Sequence, residues 1–226
     1  MPENTTHTGK TLSFCEFVKE AQVTGKKFFI TKDDDNCFGK MALGMIPKPP
    51  LGASGQAGYD FGVFKTPAPN ARIYNSMTTL VPGSVNFVIF SPVAICDFDP
   101  DLIICVAEVE KAEIIMRATS YISGDFWESK CSSVLSCAWM YSYPYVSGKV
   151  NFCITGMHHG MKRRGTYPPG RHIIAIPYQK INEVVQALDE MDWELIAMRK
   201  DDASKAELAR RMAHWQEMSP DFVLKK

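Results

Sequence analysis

An α+β fold, with a mixed β-sheet and surrounding helices in a single compact domain, is predicted for this 226-residue chain by two observations. Short continuous apolar runs, rich in β-branched and aromatic residues, recur at 86–90, 102–106, 150–155 and 172–176, as expected of strands covered on both faces. Around them lie segments whose apolar residues recur at helical spacing. The domain is expected over 11–192, with a helical C-terminal extension over 193–226.

Thr11 to Gln22 reads as the first helix, because Phe14, Phe17, Val18 and Ala21 form one stripe and Gly25 ends it. Lys27 to Thr31 is β-prone and runs into the acidic turn Asp33 to Asn36. Cys37 to Met45 is a run of small residues around one cysteine, suited to close backbone packing. Pro47 to Pro69 is too rich in Pro and Gly for a long helix or central strand, and is expected as an ordered loop or lid. Strands follow at Asn86–Phe90 and Leu102–Val106, joined by a connection that carries Pro92 and Pro100. Glu108 to Tyr121 has helical spacing through Ala112, Ile115, Met116 and Thr119. Ser132 to Tyr145 is expected as a buried helix containing Cys137 and ended by Pro144. Val150 to Thr155 is a strand leading into Gly156-Met-His-His-Gly160, and His172 to Ile176 is another. From Tyr178 an amphipathic helix runs through Ile181, Val184, Val185, Leu188 and Met191. A last helix, about Ala203 to Met218, puts Leu208, Met212 and Trp215 on one face, which suits a homo-oligomer contact.

Composition narrows the function. Hydrophobic residues make up 46% and charged residues 22%, as in globular proteins. Twenty-five basic residues balance 25 acidic ones, so neither nucleic acid nor an anionic membrane is an expected partner. No apolar run reaches the roughly 18 residues that span a bilayer, and Met1 to Lys10 lacks the apolar stretch of a signal peptide. The expected location is the cytoplasm. Seven cysteines, an odd number without an export signal, fit thiols or thiolate ligands better than a disulfide framework. No Cys-x-x-Cys occurs, so any metal site is assembled from distant segments. Nucleotide-binding glycine loops, the Gly-x-Ser-x-Gly elbow, the His-Glu-x-x-His helix and fixed-period repeats are all absent.

Several segments together resemble a known family. They are Cys37-Phe-Gly-Lys-Met-Ala-Leu-Gly44, a strand ending in Phe90-Ser-Pro92, Asp97-Phe-Asp-Pro-Asp101, and Cys137 followed by Pro144-Tyr145 and Ser147-Gly-Lys-Val-Asn151. The set is similar to domain of unknown function 169, an archaeal cysteine-rich group of anaerobic archaea and bacteria. It covers roughly Thr11 to Leu188. Phe38-Gly39 stands where the family often has paired glycines, Gly156 to Arg164 matches loosely, and the chain beyond about Asp192 lies outside. The resemblance implies a fold, a cysteine pattern and an anaerobic setting, but no established reaction.

Cys15, Cys37 and Cys137 lie on segments resembling the family's cysteine motifs, and Cys153 is taken as a fourth ligand, with Cys131 as its substitute. Soft thiolates from distant segments suit an iron–sulfur cluster with an electron-transfer or redox role, served by a redox partner protein. The alternative fate of a free cysteine is a small buried hydrophobe, which suits Cys96 and Cys105. His158 and His159, between two glycines, are expected to project from a loop as imidazole ligands. With Tyr145 for stacking and Arg163, Arg164 and Arg171 to pair with carboxylates, they outline a second function, a carrier for haem or another tetrapyrrole. Hydrogen-bonded histidines in a solvated basic loop are the plainer alternative.

Overall fold

The computed structural model describes residues 4–7, 12–34 and 37–218. Strand β1 (Thr5–His7) is followed by helix α1 (Phe14–Thr24), which opens on a capping box. The Ser13 hydroxyl accepts from the Glu16 N–H, and the Glu16 carboxylate accepts from the Ser13 N–H at 2.8 Å. Gly25, at φ 67°, ends the helix in the left-handed conformation that glycine adopts without strain. Thr11, where the periodicity begins the helix, lies outside the described residues. The apolar stripe is buried as its spacing requires: Phe17 stacks on Phe90 at 5.6 Å and Phe14 meets it edge-on at 6.0 Å.

The strands divide into two three-stranded sheets, not the one mixed sheet expected. In the first, β2 (Lys27–Thr31) pairs in parallel with β1 and antiparallel with β3 (Phe87–Phe90), Phe28 opposite Phe90. In the second, β4 (Leu102–Ala107) and β5 (Asn151–Ile154) flank β6 (His172–Pro177), all antiparallel. The runs at 86–90 and 102–106 read alike because each is apolar, yet the connection between them carries the chain from one sheet to the other. The acidic motif serves this join. Lys27 is buried with its ammonium 2.6 Å from Asp97, and the Tyr178 hydroxyl donates to Asp99 at 2.8 Å.

Prolines explain the departure over 47–69. Helices α2 (Gly39–Ala42), α3 (Pro50–Ala53), α4 (Gln56–Asp60) and α5 (Pro67–Ser76) occupy much of the region from Cys37 to Ser76. Pro50 and Pro67 begin their helices, where a missing N–H costs nothing. Gly55, at φ 77°, lets α4 lie on α5: a Cβ there would sit 2.1 Å from the Pro67 carbonyl oxygen. The expected helix over 132–145 is also redrawn. Residues 131–135 are irregular, helix begins at Ser136, widens into a π-helical turn over Ala138–Ser142, and closes as α7 (Tyr143–Ser147). Pro144 falls in the first turn of α7 rather than ending the helix.

Strand β6 is buried on both faces, with Ile173, Ile174, Ala175 and Ile176 at most 3% exposed. Ile174 and Ile176 meet α6 (Val109–Tyr121) and α9 (Ile181–Met191), which pack side by side. Ile173 and Ala175, on the opposite face by the strand's period of two, meet Cys15, Met140, Cys153 and Met161. A sulfur-rich layer therefore covers this face of β6. Helix α8 (His159–Arg163) borders it. Beyond α9, α10 (Asp202–Met212) and α11 (Trp215–Met218) replace the single last helix. No helix among the described residues is long and apolar enough to cross a membrane.

Asn151 ties these pieces together. Fully buried, its amide donates to the Lys130 carbonyl at 2.9 Å and the Trp139 carbonyl at 2.6 Å, and its oxygen accepts from the Lys130 N–H at 2.9 Å. Asn151→Leu keeps the volume and strands these groups, so urea unfolding should show a loss of at least about 1–3 kcal/mol. The exposed Asn75→Ala should stay within about 0.5 kcal/mol of the parent. Equal stability of the two variants would show that the Asn151 network does not hold the segment.

Candidate metal centres

Three of the four sequence-predicted metal ligands meet. Cys15 stands in the first turn of α1, Cys37 in the loop before α2, and Cys137 in the helical turn before the π-helical widening. The Cys137 thiol is hydrogen-bonded to both Cys15 and Cys37. As the group that keeps its proton between two sulfurs, Cys137 is pushed well above the usual thiol range. Its donation pulls Cys37 down to about 6, helped by the backbone N–H groups of Phe14 and Gly39, the latter 3.4 Å away. Cys15 is lowered by Cys137 first, against the cost of burial, and also by Ser136, whose Oγ lies at 3.1 Å. Gly39 makes the approach feasible. A Cβ there would fall 2.8 Å from the Cys137 sulfur and 2.5 Å from the Phe14 ring, so position 39 has room only for glycine.

These cysteines form one wall of a cavity of about 760 Å³. Arg163, Arg164, His159 and Phe61 form another. Arg164 reaches back to Glu16 at 3.4 Å, and Arg163 lies over the Phe61 ring at 4.9 Å. The His159 ring is 5.0 Å from Phe61, and its Nε2 is buried without a hydrogen-bond partner among the described residues. Desolvation, then the two arginines, lower the His159 pKa and keep it neutral.

Cys153 stands apart from this triad. On β5 it joins Cys131 and His158, with the three ligand atoms all within 4.8 Å of one another. Cys131 Sγ is 3.2 Å from His158 Nε2, and Cys153 is 3.4 Å from the Met140 thioether. Donation from Cys153, then from His158, draws Cys131 down to about 5, while Cys153 is pushed up. His158 is fully buried, not projecting from a loop as expected, because the next residue's N–H donates to the Ser133 carbonyl at 2.8 Å and folds the turn inward.

The remaining predicted residues separate. Arg163, Arg164 and His159 share the cavity, whereas Arg171 pairs with Glu108 at 2.8 Å. Tyr145, expected to stack on a flat ligand, is half exposed on the helical turn α7 and is not among the cavity residues. Cys96 donates to the Phe98 carbonyl at 3.2 Å, and burial pushes the Cys105 thiol up. Gly39, Ser136 and Asn151 support the two sulfur groups without being picked out as site residues from sequence. The capping-box spacing Ser13-Phe-Cys-Glu16 is the local signal that fixes Cys15 at a helix start.

Comparison with known proteins gives a family and no chemistry. The model of domain of unknown function 169, described as an uncharacterised ArCR group, matches residues 1–187. An uncharacterized protein of Methanocaldococcus jannaschii is 24% identical over 178 residues, covering 77% of this chain and 75% of the relative. No solved structure matches the chain.

Thiolate, not thiol, is the nucleophile, so a lowered pKa makes alkylation persist to lower pH. In metal-free reduced protein, iodoacetamide should modify Cys37 with a rate that is half-maximal near pH 6 and falls below it. The signal, read by peptide mass spectrometry, should vanish in Cys37→Ser. A midpoint in the ordinary range, about 8.5, would show that Cys137 and the backbone N–H groups do not stabilise the thiolate.

Proposed function

The chain belongs to the ArCR family, domain of unknown function 169, and we propose that it is a metalloprotein holding an iron–sulfur cluster on Cys15, Cys37 and Cys137. One observation carries this reading: three thiols from distant segments line one wall of a large cavity, and two of them are already biased toward the thiolate that iron requires. Thiolates drawn from distant segments are the ligands that such clusters take.

A cubane has four iron corners, and three cysteines leave one without a protein ligand. That corner would face the cavity, where Arg163 and Arg164 supply positive charge for a small anionic molecule. The cluster supplies one-electron chemistry, with electrons exchanged through a redox partner protein. The chain's own residues hold the cluster, orient the guest and restrict water. Thiolates and an open iron corner agree with an anoxic, reducing cytoplasm.

Protein purified under strict anoxia should show broad absorption at the boundary of visible and ultraviolet light, with about four irons and four sulfides per chain. Cys37→Ser and Cys137→Ser should lose most of both, and Cys153→Ser should keep them. Folded, colourless, iron-free protein would overturn the proposal.

The unpartnered His159 Nε2, beside Phe61 and both arginines, favours one second reading, a tetrapyrrole in the same cavity. Haem titration should then give a visible spectrum that His159→Ala changes. Identical spectra for the two proteins would remove the ligand role.

A further inference from the structure

We propose that Cys131, Cys153 and His158 form a second, independent metal site that takes a single zinc ion. The three ligands come from the irregular segment 131–135, from β5 and from the turn before α8, so nothing local brings them together. Yet their ligand atoms all lie within 4.8 Å, close enough for one ion and too close for a cluster. Cys153 and His158 are at most 3% exposed and Cys131 is half-buried, so the Cys131 side offers access for a fourth, solvent ligand.

The donor set selects the metal. Two thiolates and an imidazole are the soft and borderline ligands that zinc prefers, and hard cations such as magnesium or calcium do not. Charge separates zinc from cuprous copper. Two thiolates with a neutral imidazole cancel a divalent ion and leave a net negative charge around a monovalent one, which a buried site disfavours. On binding zinc the imidazole would carry its proton on Nδ1 and offer the ion the Nε2 lone pair, 3.2 Å from Cys131. The Met140 thioether, 3.4 Å from Cys153, closes the apolar side of the site.

Such a site has a structural use. It clasps the segment before Cys137 to β5 and to the start of α8, whose far end carries Arg163 and Arg164 into the cavity. It draws on none of the three cysteines assigned to the cluster, so iron and zinc report on separate proposals.

The test uses the full chain, purified anoxically and checked for folding by circular dichroism. Elemental analysis should give about one zinc per chain, whether or not iron is present. Replacing zinc by cobalt(II) should give intense thiolate-to-cobalt absorption in the near ultraviolet and tetrahedral bands in the red. Cys37→Ser should keep this spectrum, His158→Cys should keep a tetrahedral one, and the double variant Cys131→Ser, Cys153→Ser should lose it with the zinc. Four results overturn the proposal: less than about a tenth of a zinc per folded chain with no cobalt spectrum, a cobalt spectrum that survives the double variant, copper in place of zinc, or a Cys131–Cys153 disulfide in the anoxic protein.

Discussion

The wedge formed by the π-helical turn Ala138–Ser142 is the constraint on which both sulfur groups depend. Ala138 is buried in the core that holds Phe14, Phe17 and Phe90, Met140 against β6 and Cys153, and the Ser142 hydroxyl donates to the Ala42 carbonyl at 2.7 Å. Widening a helix by one residue per turn loosens its carbonyls from their usual partners. Here the Trp139 carbonyl takes the Asn151 amide, and the Trp139 indole donates to Ser132 Oγ at 2.8 Å. The turn thus holds Cys137 on one side, Cys153 on the other and the segment of Cys131 behind it. Straightening it into an α-helix would rotate these positions out of phase.

Within each group the thiols are unequal, and the cause is shared. Cys137 and Cys153 keep their protons and donate them, while Cys37 and Cys131 become the favoured thiolates. Protons in such contacts belong to the group rather than to one sulfur. The resulting charge is compensated locally, by the Phe14 and Gly39 N–H groups near Cys37 and by His158 near Cys131. Since ligands must be deprotonated to bind a metal, groups that have already released one proton would need less reorganisation to take one.

How much of this was legible follows from what periodicity can encode. The stripe Phe14, Phe17, Ala21 and the double burial of β6 are local patterns, and both elements formed where their spacing put them. Strand partners are not local: Phe87–Phe90 and Leu102–Ala107 have similar composition and lie in different sheets. Prolines that read as breakers over 47–69 start helices instead, because their effect depends on which turn they occupy. Cys15, Cys37 and Cys137 could be chosen by motif, but the segregation of Cys153 with Cys131 depends on strand face and on the Asn151 contacts. His158 and His159 are adjacent in sequence and both border the cavity, yet they diverge in their contacts, His158 buried against Cys131 and His159 against Phe61.

The two sulfur groups are joined by a closed path of contacts. His158 lies against Cys131 at the start of α8, and Arg164 just past its end pairs with Glu16. Glu16 caps α1 through Ser13, and the same first turn carries Cys15. Cys15 meets Ser136 at 3.1 Å and Cys137 beside it, from which the π-helical turn leads back to Asn151, Lys130 and Cys131. A helix of five residues cannot hold its own orientation, so α8 takes it from these two anchors and from Met161, buried against β6. Displacing either anchor would move Arg163 and Arg164 relative to the triad. The shape of the cavity is therefore set by a circuit of hydrogen bonds and sulfur contacts, while hydrocarbon packing fixes the two cores on either side of it.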